Sequence, residues 1–198
     1  NSDPPFQGSF GLTWDHVEEQ SITEIPVPEG GHTEIWTGEQ ISEYIPEDLT
    51  SMLDEYFGES CERTVYGDRT VVLCPDGTVS SGVSVSYAAP NTEESSPYEL
   101  LVTVNRDRMD EEMQARYPIG EPNNEIAGVP VWLGWTKTGA SAGADAFVSS
   151  DYSLMAAFEY DGVYYFLRQN TAADGLFLGT IQTILETYWT VRDDTVID

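Results

Sequence analysis

The sequence predicts an α+β fold: an antiparallel sheet of several hairpin-connected strands, with about three helices packed mainly on one face. Two observations carry this. β-rich, alternating runs recur on either side of Gly67-Asp68, Asp76-Gly77 and Asp161-Gly162, and a few segments with apolar residues at helical spacing interrupt them. A third supports a folded chain: 40% of the 198 residues are apolar and 12% aromatic, and runs such as Thr70 to Leu73 and Leu100 to Val104 are what disordered chains lack. A chain of this length buries about 70% of the surface its unfolded form exposes, enough for one sizeable core.

Residues 1–40, rich in Gly, Pro, Glu and Thr, read as an extended N-terminal arm or peripheral segment, with a possible strand at Ser21 to Val27 and a turn at Pro28 to Gly31. Residues 41–198 read as a single α+β domain. It opens with a short amphipathic helix from Ile45: Pro46 lies near its start, Leu49, Met52, Leu53 and Tyr56 share a face, and Gly58 stops it. In the stretch from Cys61 to Cys74, two β-rich runs flank Gly67-Asp68, and a two-residue turn there pairs 66 with 69 and so on out to 61 with 74. That register makes the cysteines cross-strand partners on a non-hydrogen-bonded rung, where a disulfide bridges with little distortion and contributes roughly 3 kcal/mol. The alternatives are two buried free thiols, or half of a metal site with only His16 and His32 to complete it.

Pro75-Asp76-Gly77 marks a second turn, Val79 to Tyr87 a half-buried strand, Ala88 to Pro97 a loop and Tyr98 to Asn105 a further strand. Asp107 to Tyr117 reads as a helix with Met109, Met113 and Tyr117 on one side, ended by Pro118. After a loop at Gly120 to Asn124, Val129 to Lys137 alternates with Val129, Val131, Leu133 and Trp135 on one face, and Gly139 to Gly143 forms a small-residue connection. Leu154 to Tyr160 and Val163 to Gln169 form the clearest hairpin, with Asp161-Gly162 favouring a type I′ turn. A closing helix runs from about Gly175 to Trp189, with Phe177, Ile181, Ile184, Leu185 and Tyr188 on its apolar face.

Ile126-Ala-Gly-Val-Pro-Val-Trp132, then Ala156-Ala-Phe-Glu-Tyr-Asp-Gly-Val-Tyr-Tyr165 and the helix Leu176 to Leu185, resemble a recurring extracytoplasmic domain of Gram-positive bacteria. In it a Gly-Val-x-Val strand is followed by a strand ending in Asp/Asn-Gly-x-x-Tyr and a closing helix. The type is the domain of unknown function 4367, found in lipoproteins and in proteins similar to anti-sigma factors. Tyr44-Ile45-Pro46-Glu47 resembles the entry of such domains, with Asp48 where they carry Gly. The resemblance spans at most residues 45–188; it implies an ectodomain with a sensing or interaction role and no catalytic residues to carry over.

Thirty-five Asp and Glu stand against seven Arg and the single Lys137, a formal net charge of −27. A field of that sign repels nucleic-acid phosphates and anionic lipid. No apolar stretch approaches the ~20 residues that span a bilayer, so no direct membrane insertion is expected. The start, Asn1-Ser2-Asp3-Pro4-Pro5, lacks Met and a basic, apolar leader and reads as trimmed, with loss of a signal peptide or lipoprotein-type anchor as one explanation. Together with an oxidised Cys61–Cys74 pair, this predicts an extracytoplasmic location, secreted or membrane-anchored, and a monomer kept hydrated by its charge. The acidity fits adaptation to salty surroundings or attraction to a basic partner.

Nucleophilic chemistry has little to work with: there is no Ser-x-x-Lys or His-Glu-x-x-His, and the only imidazoles are His16 and His32. Lys137 reads as an exposed charge at a strand end. Asp107, Asp110, Glu111 and Glu112 form the densest acidic cluster and suit Ca²⁺ by their hard oxygens. They lack the Gly and ligand ladder of a calcium loop, and a first helical turn explains them without a metal. Trp132, Trp135 and Tyr164 are the ligand-binding candidates; Trp132 and Trp135 are opposite in phase on one strand, so one belongs to the core. The expected function is a non-enzymatic accessory or sensory domain, without a required cofactor, that binds a protein or cell-envelope ligand. The alternative is a secreted hydrolase with an unrecognised carboxylate pair.

Overall fold

The alternating runs build an eight-stranded sheet in the computed structural model, which describes residues 11–18, 26–58, 62–65, 69–89, 98–107, 118–137, 152–169 and 177–185. The strands are β1 (Asp15–His16), β2 (His32–Trp36), β3 (Glu62–Val65), β4 (Arg69–Leu73), β5 (Val83–Ala89), β6 (Tyr98–Asn105), β7 (Asn124–Ile126), β8 (Val129–Lys137), β9 (Tyr152–Tyr160) and β10 (Val163–Gln169). The described helices are α1 (Gly38–Tyr44), α2 (Glu47–Phe57) and α3 (177–185). The main sheet has the order β1-β8-β9-β10-β6-β5-β3, with β7 beside β8, while β2 and β4 form a separate ribbon. Every pairing is antiparallel except that of β1 with β8. The fold is α+β, as the alternation and helix periods predict.

Strand alternation sends every second side chain of the sheet to one face. Val85, Tyr87, Val102, Val104, Leu133, Leu154, Ala156, Tyr165 and Leu167 are buried there in one cluster with Ile41 and Ile45, with Leu49, Leu53 and Phe57 of α2, and with Phe177, Ile181, Ile184 and Leu185 of α3. All three described helices therefore serve the same core. On α2 the buried residues recur at i, i+4 and i+8, so Phe57 faces inward where the sequence had put Tyr56, which is exposed. Gly58 ends the helix at φ 60°. α1 was not foreseen; a capping box holds its start, Thr37 N–H donating to Gln40 Oε1 at 3.0 Å and Gln40 N–H to Thr37 Oγ1 at 3.3 Å.

The stretch from Cys61 to Cys74 departs from expectation. Both strands form, but they do not pair with each other: β3 adds to β5 on the main sheet and β4 pairs with β2. The reason is tertiary. β4 places Val71 and Leu73 in the main core, and that burial outweighs what a Gly-Asp dipeptide contributes to a local turn. The 61-to-74 register is therefore lost, and Cys74 is a buried free thiol; Cys61 lies outside the described residues.

Two smaller differences follow. β5 starts at Val83 because Val79 makes only an isolated bridge to Leu73, and the Asn105 side-chain amide takes the carbonyls of Val79 and Ser80 at 3.2 and 3.3 Å. The N-terminal arm is not wholly peripheral: Trp14 is 3% exposed in the main core, 6.3 Å from the Phe177 ring, and β1 joins the sheet. The expected strand at Ser21 to Val27 lies mostly outside the described residues, as do the loop after Ala89, the helix after Asp107, the 139–143 connection and the ends of the closing helix. No helix among the described residues is long and apolar enough to cross a membrane.

Candidate functional site: a groove beside Trp132

On the face of the sheet opposite the helices, alternation places Trp132 of β8, Met155 and Ala157 of β9 and Phe166 of β10. They form a second buried cluster, with Val17 and Ile119 packed against it. The indole of Trp132 lies flat because two glycines leave room for it. A Cβ on Gly134 would overlap the six-membered ring, and one on Gly120 would stand 2.7 Å from Nε1. Trp132 Nε1 then donates to Asp15 Oδ2 at 3.0 Å. The ring is thus set by packing and by a charge-assisted hydrogen bond before any ligand arrives.

Asp15 reaches that position because β1 is clamped to β8 by side-chain amides. Asn123 Oδ1 accepts from the Leu133 N–H and its Nδ2 donates to the Leu133 carbonyl, both at 2.8 Å. Asn124 does the same for Thr13, at 2.8 Å from the N–H and 2.7 Å to the carbonyl. Each amide takes the place of a peptide group on a neighbouring strand, and Val17 N–H completes the seam on the Trp135 carbonyl at 2.9 Å.

Two hollows flank the fixed indole. The larger, of about 660 Å³, is walled by Ile119, Gly120, Pro122, Pro130, Trp132, Ala157 and Phe158, with Glu121, Glu159, Asp161 and Tyr164 around them. The smaller, of about 520 Å³, lies between Asp15, His16 and Val17 on one side and Pro118 to Gly120 on the other. Glu121, Glu159 and Asp161 are all exposed, and no Lys, Arg or His occurs among the described residues lining the larger groove. Glu159 and Tyr164 are directly opposed across the β9–β10 hairpin and hydrogen-bonded through their side chains. Partial burial, then the Glu159 charge and that hydrogen bond, push the Tyr164 phenol above its ordinary pKa.

Of the aromatic candidates, the structure brings Trp132 and Tyr164 into one groove and separates Trp135 from them. Trp135 is in the main core on the opposite face, with its ring 4.5 Å from His16 and 5.9 Å from Tyr152. Trp132 is itself only 1% exposed, so it is a wall of the groove and not the open stacking platform expected. Asp107 is engaged structurally: its Oδ2 accepts from Val79 N–H at 2.7 Å and from the Tyr44 hydroxyl at 3.2 Å, a phenol that burial holds well above its usual pKa. Asp110 and Glu111 lie outside the described residues. Among the described residues no three His, Cys, Asp or Glu side chains are grouped to hold a metal ion.

Sequence reasoning missed the acidic rim and the amide clamp. The rim had a signal, because a turn at Asp161-Gly162 fixes Glu159 opposite Tyr164; the clamp had none, since Asn123-Asn124 reads as loop. No family model matches the chain, and neither the curated proteins nor the solved structures show a significant match to it.

Proposed function

We propose that the chain is a non-enzymatic, extracytoplasmic accessory or sensory module that binds a protein or cell-envelope ligand in the groove beside Trp132. The observation that carries this reading is the preset wall: a buried indole, seated between two glycines and tied to Asp15, bounding a hollow whose volume lies within the ~300–1,000 Å³ common for ligand sites. A module that binds without chemistry needs such a shaped surface and no nucleophile or proton shuttle. The extracytoplasmic part rests on the net charge of −27 and on the resemblance of the 126–185 segments to bacterial ectodomains. The Cys61–Cys74 pairing no longer contributes to it.

The test is ¹⁹F NMR of protein carrying 5-fluorotryptophan, with the Trp132 signal assigned through Trp132→Phe and solubilised cell-envelope components added. The Trp132 resonance is expected to move while those of Trp14 and Trp135, both in the main core, stay. Movement of none, or of all alike, overturns the reading. Chemical change in the added components decides for the hydrolase.

A further inference from the structure

The groove is apolar inside and acidic at its rim. Ile119, Pro122, Pro130 and Ala157 supply the inside, while Glu121, Glu159 and Asp161 come from the 119–122 segment, β9 and the β9–β10 turn. One ligand chemistry has the same two-part character. An Arg or Lys side chain is an apolar stem with a cationic head, so it can lay the stem on such a wall and carry the head to a carboxylate. An anionic ligand meets repulsion at this rim, and a cationic one meets attraction.

We infer that the occupant of the groove is a basic, extended segment of a partner protein, an inference that rests on the binding-module reading above. The rim argues for a segment over a single small cation, because its carboxylates come from two different parts of the chain, the 119–122 segment and the β9–β10 hairpin. Two basic side chains on one extended backbone engage such carboxylates together, and their linkage raises affinity without new contacts. The overall charge of −27 adds long-range attraction that speeds encounter, but only the rim selects the seat.

The probe is the blocked peptide Ala-Arg-Pro-Ala-Arg-Pro-Ala, titrated calorimetrically into the full chain at about 0.15 M salt, where charges beyond roughly 8 Å are screened. Two charge-matched variants separate the rim from the general field. Glu121→Gln, Glu159→Gln and Asp161→Asn together remove three rim charges; Glu39→Gln, Glu43→Gln and Glu55→Gln remove three exposed charges from α1 and α2. The rim variant is expected to weaken binding about tenfold or more and the helix variant less than about twofold. Equal weakening by both, absence of binding to the parent chain, or spermidine binding as tightly as the peptide overturns the inference. A citrulline version of the peptide separates the two readings. If it binds as well as the arginine peptide and moves the Trp132 ¹⁹F signal, the basic-segment inference falls and the groove stands. If the arginine peptide binds without moving that signal, both fall.

Discussion

On the helix-covered face of the main sheet, burial comes from aliphatic and aromatic side chains of ten elements meeting in one cluster: β4 to β10 and α1 to α3 all contribute. The opposite face is also buried, yet it mixes Trp132, Met155, Ala157 and Phe166 with Ser84, Thr103, Thr136 and Ser153, and it relies on directed contacts such as Ser84 Oγ to Thr103 Oγ1 at 2.8 Å and Trp132 Nε1 to Asp15 at 3.0 Å. The first arrangement supplies stability through area, which tolerates repacking. The second supplies position through fit and hydrogen bonding, which does not. Leu133 and Gly134, neighbours on β8 pointing to opposite faces, embody the difference.

Leu133→Ala is expected to cost about 3 kcal/mol in urea unfolding, because a fully buried aliphatic side chain leaves a cavity; its Trp132 ¹⁹F signal should keep its shift. Gly134→Ala adds a methyl where the indole lies and should cost about 2 kcal/mol, moving that signal and weakening peptide binding. A Gly134→Ala protein as stable as the parent, with Trp132 unmoved, would erase the contrast between the faces. Asn123→Ala strips both amide contacts from Leu133 and should cost about 1.5 kcal/mol, with exchange of the Leu133 amide hydrogen accelerated beyond the global opening rate. Ala127→Gly should stabilise by about 1 kcal/mol: Ala127 has φ 51° in the turn between β7 and β8, a left-handed conformation costly for a residue with a Cβ, and this turn belongs to neither face's packing.

The phenols of Tyr44 and Tyr164 are both raised in the folded chain, so above about pH 10 the unfolded chain loses these protons first and stability falls as pH rises. Denaturation midpoints between pH 9 and 11, at about half-unit steps, should show that slope, and Tyr44→Phe should flatten it. A slope unchanged by Tyr44→Phe would remove the buried phenol from the account.

The β9–β10 hairpin was legible almost to the residue because its turn and its alternation agree. Asp161 and Gly162 take φ 55° and 75°, the left-handed pair that a type I′ turn needs, and the register then follows by counting. The 61-to-74 stretch was misread because there the turn signal stood against burial, and burial won. Trp132 and Trp135 were separable in phase, but which of them faced the helices depends on the whole sheet, and so does the burial of Trp132. The role of Gly134 was invisible for the same reason: a lone glycine in a strand does not announce which ring will lie across it. Asn123 and Asn124 carry no periodic signal at all, since their side chains serve the backbone of Leu133 and Thr13, 10 and 111 residues away.

Those two asparagines have a consequence for how molecules of this chain meet one another. Between Val131 and Trp135 the outward carbonyls of β8 are already taken, Val131 by Asn123 N–H, Leu133 by the Asn123 side chain and Trp135 by Val17 N–H. A strand from a second molecule finds this border of the sheet sealed, so β8 cannot template end-to-end growth into polymers unless the seam first opens.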